Sequence, residues 1–428
     1  MTSLRASKFL SSARTRDLVL VTGVSLGARL AFLAWKDPAA ICYDLRAWSA
    51  VARQLAAGEN PYVSTDFLNW PPLWMQLIFG LDRIATALGI STVLAIQLFL
   101  IAVEVGVIVA THDLLSAVGC SRVKRRWILL IGIALNPICI LLVCQHGNFD
   151  VLVGFLVVLF LSAIIRWNRG GPIEDWFLAC FWLGLGTTLK VVPIVLAPIL
   201  LVGIRRLSRA ARFLGAAVVL GPAAYGVSVL YVMNPAEITR KVIGYRSLPW
   251  RFGFTRLLRV FHLDHWIGGY RILFVGALLA CMALVGANVL RRVTVPDRSL
   301  ICGALLLLAF IPFAGPGYGP QYIYWFWPLV LAAFATGTRN VRETTILFSA
   351  TAAATYLFEY AFRATLGGFL LGHFSPTHPL VLFTTVRLPT LRWPLFLSYA
   401  LLVGALLLSF TVGDRDAQVP PPGVPIRR

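Results

Sequence analysis

Charge is what this chain has least of. Of 428 residues only 13% are Asp, Glu, Lys or Arg, and the acids number 18 against 38 bases. Mean hydropathy is +0.79 and 58% of the residues are hydrophobic. A water-soluble fold cannot hide so much apolar surface, whereas a bilayer requires it. The seven cysteines lie mostly inside apolar runs without regular spacing, which excludes a disulfide framework and a Cys/His zinc site. Phosphate-binding glycine loops and dinucleotide fingerprints are missing too. So are an internal repeat and a soluble-domain boundary. Alternation of apolar and polar residues, the mark of a membrane barrel, is absent, and long apolar runs in lipid imply helices that satisfy their own backbone. The expected fold class is therefore an all-α polytopic membrane protein, a single integral membrane domain over 1–428.

The net charge of +20 sits in short loops between apolar runs, so it is a topology signal and no nucleic-acid partner is expected. About twelve transmembrane helices of roughly 17–25 residues, some shorter, are expected. They fall near 17–35, 91–115, 127–144, 149–166, 177–189, 191–204, 212–232, 270–290, 299–314, 323–337, 344–362 and 393–412. With both termini cytoplasmic, the runs at Arg122–Arg126, Arg166 and Arg169, Arg205–Arg212, Arg291–Arg292 and Arg339–Arg342 fall inside, as the positive-inside rule asks. Two placements secure that agreement. Residues 72–90, with Asp82 and Arg83 in mid-segment, lie along the membrane surface. Residues 177–204 break at Lys190 into two short helices meeting near the outer face. The first apolar stretch is a retained helix, not a cleaved signal. The tail 413–428 is Pro-rich, charged and expected to be disordered.

The external loop 36–90 carries most of the chemistry. Residues 45–57 place Leu45, Trp48, Val51 and Leu55 on one face of an amphipathic helix. Asp44, just before it, is a carboxylate where lipid meets water. Partial desolvation there is expected to raise its proton affinity to that of a general base, although an Asp at this position also suits a helix cap. Tyr43 and Arg46 flank it. A second polar island, Gln145-His146-Gly147-Asn148-Phe149-Asp150, lies between two apolar helices, where unsatisfied polar groups are costly. His146 and Asp150, four apart, are expected on one helix face, and Asn148 suits a helix cap. Lys190 is a lone cation in an apolar run. The external basic loop 233–269 runs against the charge bias, and its Arg246 and Arg251 suit phosphate. Gln321 and Tyr322 follow a Gly/Pro turn that suits a sugar, while Trp325 and Trp327 are expected in an interfacial aromatic belt. Arg29 and Glu104, deep in their helices, are expected to pair.

Several of these segments resemble the GT-C membrane glycosyltransferases, in particular the polyprenyl-phosphate-sugar-dependent mannosyltransferases that include GPI mannosyltransferase I. The segments are Tyr43-Asp44, Gly58-Glu59-Asn60-Pro61-Tyr62, Trp70-Pro71-Pro72-Leu73, the 145–150 island, Lys190 through Pro193, and Gln321-Tyr322. The resemblance covers about residues 43–330. It implies an inverting transfer of a hexose, mannose in those families, from a polyprenyl-phosphate carrier to a lipid or glycan acceptor at the non-cytoplasmic face. It implies Asp44 as catalytic base, Lys190, Arg246 and Arg251 on the donor phosphate, and Tyr43, Arg46, His146, Asn148, Asp150, Gln321 and Tyr322 as substrate-binding residues. The lipid-linked sugar is then a substrate and no cofactor is expected. Where GPI mannosyltransferase I shows Asp-x-Asp, this chain has Asp44-Leu45-Arg46, which argues against a bound metal ion. Composition suits a bacterial plasma membrane, with the endoplasmic reticulum as the alternative. The rival reading is a transporter or flippase, and a third is an inactive scaffold of the same fold.

Overall fold

The computed structural model describes residues 13–36, 42–65, 68, 70–232, 235–243, 254–255, 258, 261–292, 294–315, 319–358 and 392–411, and no strand occurs among them. The main helices are α1 (Ala13–Trp35), α2 (Tyr43–Ala56), α3 (Pro72–Leu88), α4 (Thr92–Ala117), α5 (Arg122–His146), α6 (Asp150–Asn168), α7 (Ile173–Leu189) and α8 (Arg209–Val232). They continue with α9 (Ile267–Arg291), α10 (Asp297–Ala314), α11 (Trp327–Thr336), α12 (Arg339–Tyr356) and α13 (Arg392–Thr411). Among the described residues six helices, α1, α4, α5, α6, α9 and α10, are long and apolar enough to cross a membrane. The other expected spans are not among these six. The basic tail 413–428 and the N-terminal Arg5 and Lys8 lie outside the described residues.

The helices run back and forth between two chemically distinct ends. At one end, acids neutralise part of the basic loops: Arg14 pairs with Asp113 at 2.8 Å, Arg122 with Asp17 at 2.6 Å and Arg166 with Asp175 at 2.7 Å, and Arg169 pairs with Asp297. Asn168 there donates to Val295 O at 2.6 Å, tying α6 to the segment before α10. Asp44, Asp150 and Lys190 gather at the opposite end.

Between the ends, fully buried Arg29 of α1 forms an ion pair with fully buried Glu104 of α4, as expected. Two breaks in the helical ladder complete its coordination. Residues 130–134 of α5 widen into a π turn before Asn136-Pro137. The Ile133 and Ala134 carbonyls released there accept from the Arg29 guanidinium, the former at 3.0 Å. Tyr324 donates to the second Glu104 oxygen at 3.1 Å, and Trp327 Nε1 to Gly132 O at 2.6 Å. Trp325 and Trp327 are each about 1% exposed. The interfacial belt expected of them is corrected: their N–H groups and rings fill the bundle, because the broken backbone of α5 offers Trp327 an acceptor that lipid cannot.

The break at Lys190 is present, but its second limb is a 3-10 helix, Val192–Leu201, carrying Pro193 and Pro198. At roughly 2.0 Å rise per residue its ten residues reach about 20 Å, short of a hydrocarbon core of about 30 Å. Trp176 Nε1 donates to Leu200 O at 3.1 Å, so the limb folds back along α7. The first loop holds the two amphipathic helices expected, α2 burying Leu45, Trp48 and Val51, and α3 burying Trp74, Met75 and Ile78.

Glu104→Ala leaves the Arg29 charge buried without its counterion. It is expected to cost about 3–5 kcal/mol, read as a loss of thermal stability in detergent. The double change Arg29→Met/Glu104→Met is expected to lose much less, and equal losses would refute the pair as the source.

Candidate active site

The turn from α5 into α6 is built so that three polar side chains reach one place. A second π turn, Leu142–His146, ends at Gly147, whose φ of +63° favours glycine. A Cβ there would come 2.2 Å from Leu45 Cδ2, so the turn lies hard against α2. Trp48 Nε1 donates to Gly147 O at 3.1 Å and fixes the contact. The Cys144 carbonyl, opened by the π turn, accepts from Lys36 Nζ at 2.9 Å and Gln97 Nε2 at 2.6 Å. Because Gly147 reverses the chain, His146 and Asp150 do not share a helix face as the spacing predicted. One ends the π turn and the other opens α6.

Asp44 sits in the first turn of α2, whose dipole favours a carboxylate; the residue preceding the helix is Cys42, so Asp44 is not the cap. Its Oδ2 lies 2.9 Å from His146 Nε2 and accepts from Asn148 Nδ2 at 2.8 Å. Asn148 works in both directions, since its Oδ1 accepts from the Asp150 backbone N–H at 3.0 Å and caps α6. His146 Nδ1 lies 3.2 Å from the Tyr356 hydroxyl of α12. Burial, the largest single effect, pushes the Asp44 pKa up; His146, the Asn148 hydrogen bond and Lys190 together bring it below the ordinary 3.8. The raised proton affinity expected from desolvation is therefore reversed by three donors or cations that local sequence did not place there.

Lys190 lies at the extended C-terminus of α7, its Nζ 2.6 Å from Asp150 Oδ1. The ammonium is also 5.2 Å from the Phe149 ring centroid, 4.7 Å from Tyr322 and 4.6 Å from Trp325. Tyr322 and Trp325 stack at 4.2 Å and 19°. A carboxylate and three ring faces thus hold one cation, close enough to Asp44 to act on it electrostatically.

Of the predicted residues the structure brings together Asp44, His146, Asn148, Asp150, Lys190 and Tyr322. Tyr43 and Arg46 are exposed beside the cluster on α2, and Gln321 folds its amide over Gly319. Arg246, Arg251 and residues 316–318 of the Gly/Pro turn lie outside the described residues. Tyr356, Trp325 and Phe149 belong to the cluster although the sequence reading gave them no such role. Phe149 lay inside the polar island, and Tyr356 had no local signal.

The helical bundle thus carries an acid–histidine–amide cluster at one end. One solved structure, described as "Crystal Structure of ArnT from Cupriavidus metallidurans bound to Undecaprenyl phosphate", is similar at a TM-score of 0.50 and 15% identity, covering 92% of this chain and 78% of that one. No curated protein matches the chain in sequence. The model of glycosyltransferase family 87 matches residues 67–309, and the chain belongs to that family.

His146→Gln removes the first cause that lowers the Asp44 pKa, leaving burial less opposed. The ionised carboxylate contributes stability above pH 3.8 that is lost as pH falls through its lower folded value. In the variant that loss is expected at higher pH. The pH dependence of carbodiimide coupling at Asp44, read by peptide mass spectrometry, is expected to shift upward likewise, and an unshifted curve would contradict the pairing.

Proposed function

We propose that this protein transfers a hexose, mannose in the first instance, from a polyprenyl-phosphate carrier to a hydroxyl of a lipid or glycan acceptor. The observation that carries the reading is the placement of an ionised, hydrogen-bonded carboxylate and a caged cation at one end of a lipid-facing bundle. Family membership and the polyprenyl phosphate held by the similar ArnT structure support the donor class. Membership in a transferase family also favours catalysis over the transporter reading.

In the proposed reaction the acceptor oxygen attacks the anomeric carbon from the face opposite the phosphate, so configuration inverts. Asp44 takes the acceptor proton as the new C–O bond forms. The bond from the anomeric carbon to the phosphate oxygen breaks, and the electron pair leaves with polyprenyl phosphate. That phosphate gains one negative charge, which Lys190 stabilises, with Arg246 and Arg251 as further phosphate ligands. His146 and Asn148 hold Asp44 and keep it ionised. Tyr322 with Asp150, Gln321, Tyr43 and Arg46 line the sugar and acceptor positions. No cofactor or metal takes part. The site faces the non-cytoplasmic side of a bacterial plasma membrane, with both termini cytoplasmic.

Reconstituted protein given radiolabelled polyprenyl-phosphate mannose tests this directly. Asp44→Asn is expected to lower kcat about 10²- to 10⁴-fold, the range of a lost general base. Lys190→Met is expected to lower transfer while leaving acceptor KM unchanged. Transfer untouched by Asp44→Asn removes that residue as the base. No transfer from any polyprenyl-phosphate hexose, with protein folded by thermal melting, removes the donor assignment.

A further inference from the structure

A well-formed cavity in the described bundle lies away from Asp44, toward the basic end. It is a groove of about 510 Å³, lined by α5, α11 and α12, within the size range of ligand pockets, about 300–1,000 Å³. Its walls are almost wholly apolar, with Ile131 and Ile346 on opposite rims, 63% and 56% exposed. In a membrane-spanning region such exposure is to lipid.

Two observations indicate what lies in it. Lys124 closes the groove at the basic end, with its Nζ donating to Ala335 O at 3.1 Å and standing 5.3 Å from the Phe334 ring. Those contacts pin the ammonium at the mouth. Lys124 is the one basic residue lining the groove, since Arg122 and Arg126 of the same turn face α1, where they share Asp17. The second observation is length. Asn136 lines the far end, twelve residues along α5, about 18 Å at the rise of an α-helix. One leaflet's share of a hydrocarbon core is about 15 Å. The groove therefore serves a single leaflet, the one opposite the Asp44 site.

We infer that this groove binds one acyl chain of an anionic phospholipid whose phosphate sits on Lys124, as a structural lipid distinct from the sugar donor. Basic pockets between helices recognise anionic headgroups in this way. Such a lipid would wedge α5 against α11 and α12; α5 and α12 carry His146 and Tyr356, and the 3-10 turn with the Tyr322–Trp325 stack leads into α11.

Native mass spectrometry of the full chain, released from nanodiscs holding equal phosphatidylglycerol and phosphatidylcholine, tests the assignment. The wild type is expected to retain phosphatidylglycerol at least fivefold over phosphatidylcholine. Lys124→Gln is expected to abolish that preference, Lys124→Arg to keep it, and Ile346→Trp, which fills the groove, to displace the lipid. Thermal melting shows whether each variant is folded, and Ile131→Trp on the facing rim replaces Ile346→Trp if that variant is not. A preference unchanged by Lys124→Gln and by groove filling overturns the inference. So does retention of polyprenyl phosphate, phosphatidylcholine or a second copy of the chain in place of the anionic phospholipid.

Discussion

A charge removed from water has to find its counter-charge inside the bundle, and that requirement organises this molecule. Arg29 and Glu104 meet it in mid-bundle, and Lys190 and Asp150 meet it at the site. In each case the partner arrives on another helix, so each pair fixes one helix against another. The first pair also recruits two backbone carbonyls that a regular α-helix would have kept for itself. The π turns in α5 are therefore part of the polar structure: one feeds Arg29 and the other feeds Lys36 and Gln97 while aiming His146.

The site inherits its precision from these irregularities. α2 presents Asp44 because Leu45 and Trp48 pack on a glycine turn too tight for any side chain. Asn148 joins the cap of α6 to the carboxylate of α2, so the helix start and the acid share one residue. Tyr356 reaches His146 from α12, and the Tyr322–Trp325 stack covers Lys190 from the 3-10 turn before α11. Segments more than two hundred residues apart thus converge on one end of the bundle. The result is an acid held ionised beside a cation.

The cage around Lys190 has a mechanistic consequence for the proposed donor. A lysine already bonded to Asp150 and faced by three rings is not an open phosphate socket. A phosphate that engages it shares the ammonium with Asp150, which keeps the cation in place when the site is empty. The rings keep water away and strengthen whatever electrostatic contact is made. The two ends of the protein then differ in kind: one holds the site proposed to act on a lipid-linked sugar, and the other offers an apolar groove with Lys124 at its mouth.

How much of this was legible in the chain follows from the range of each interaction. Amphipathic spacing in 45–57 and 72–90 and the apolar runs are local patterns; the two amphipathic helices are present, and six of the apolar runs form helices long enough to cross a membrane among the described residues. The Arg29–Glu104 pair was legible because two lone charges in apolar helices have few other partners. The 145–150 island and Lys190 stood out as polar groups in costly surroundings. What sequence could not supply was partner identity across the bundle. The His146–Asp150 spacing misled because Gly147 takes a left-handed conformation, the Trp pair was buried because α5 is broken, and the Asp44 pKa is lowered because its neighbours come from two other segments. By itself the sequence determined a helical membrane protein with polar clusters at marked places, since periodicity and composition act within one helix. The tertiary structure alone decided which of those groups meet, because electrostatic and hydrogen-bond partners are chosen by helix packing across distances no local pattern encodes.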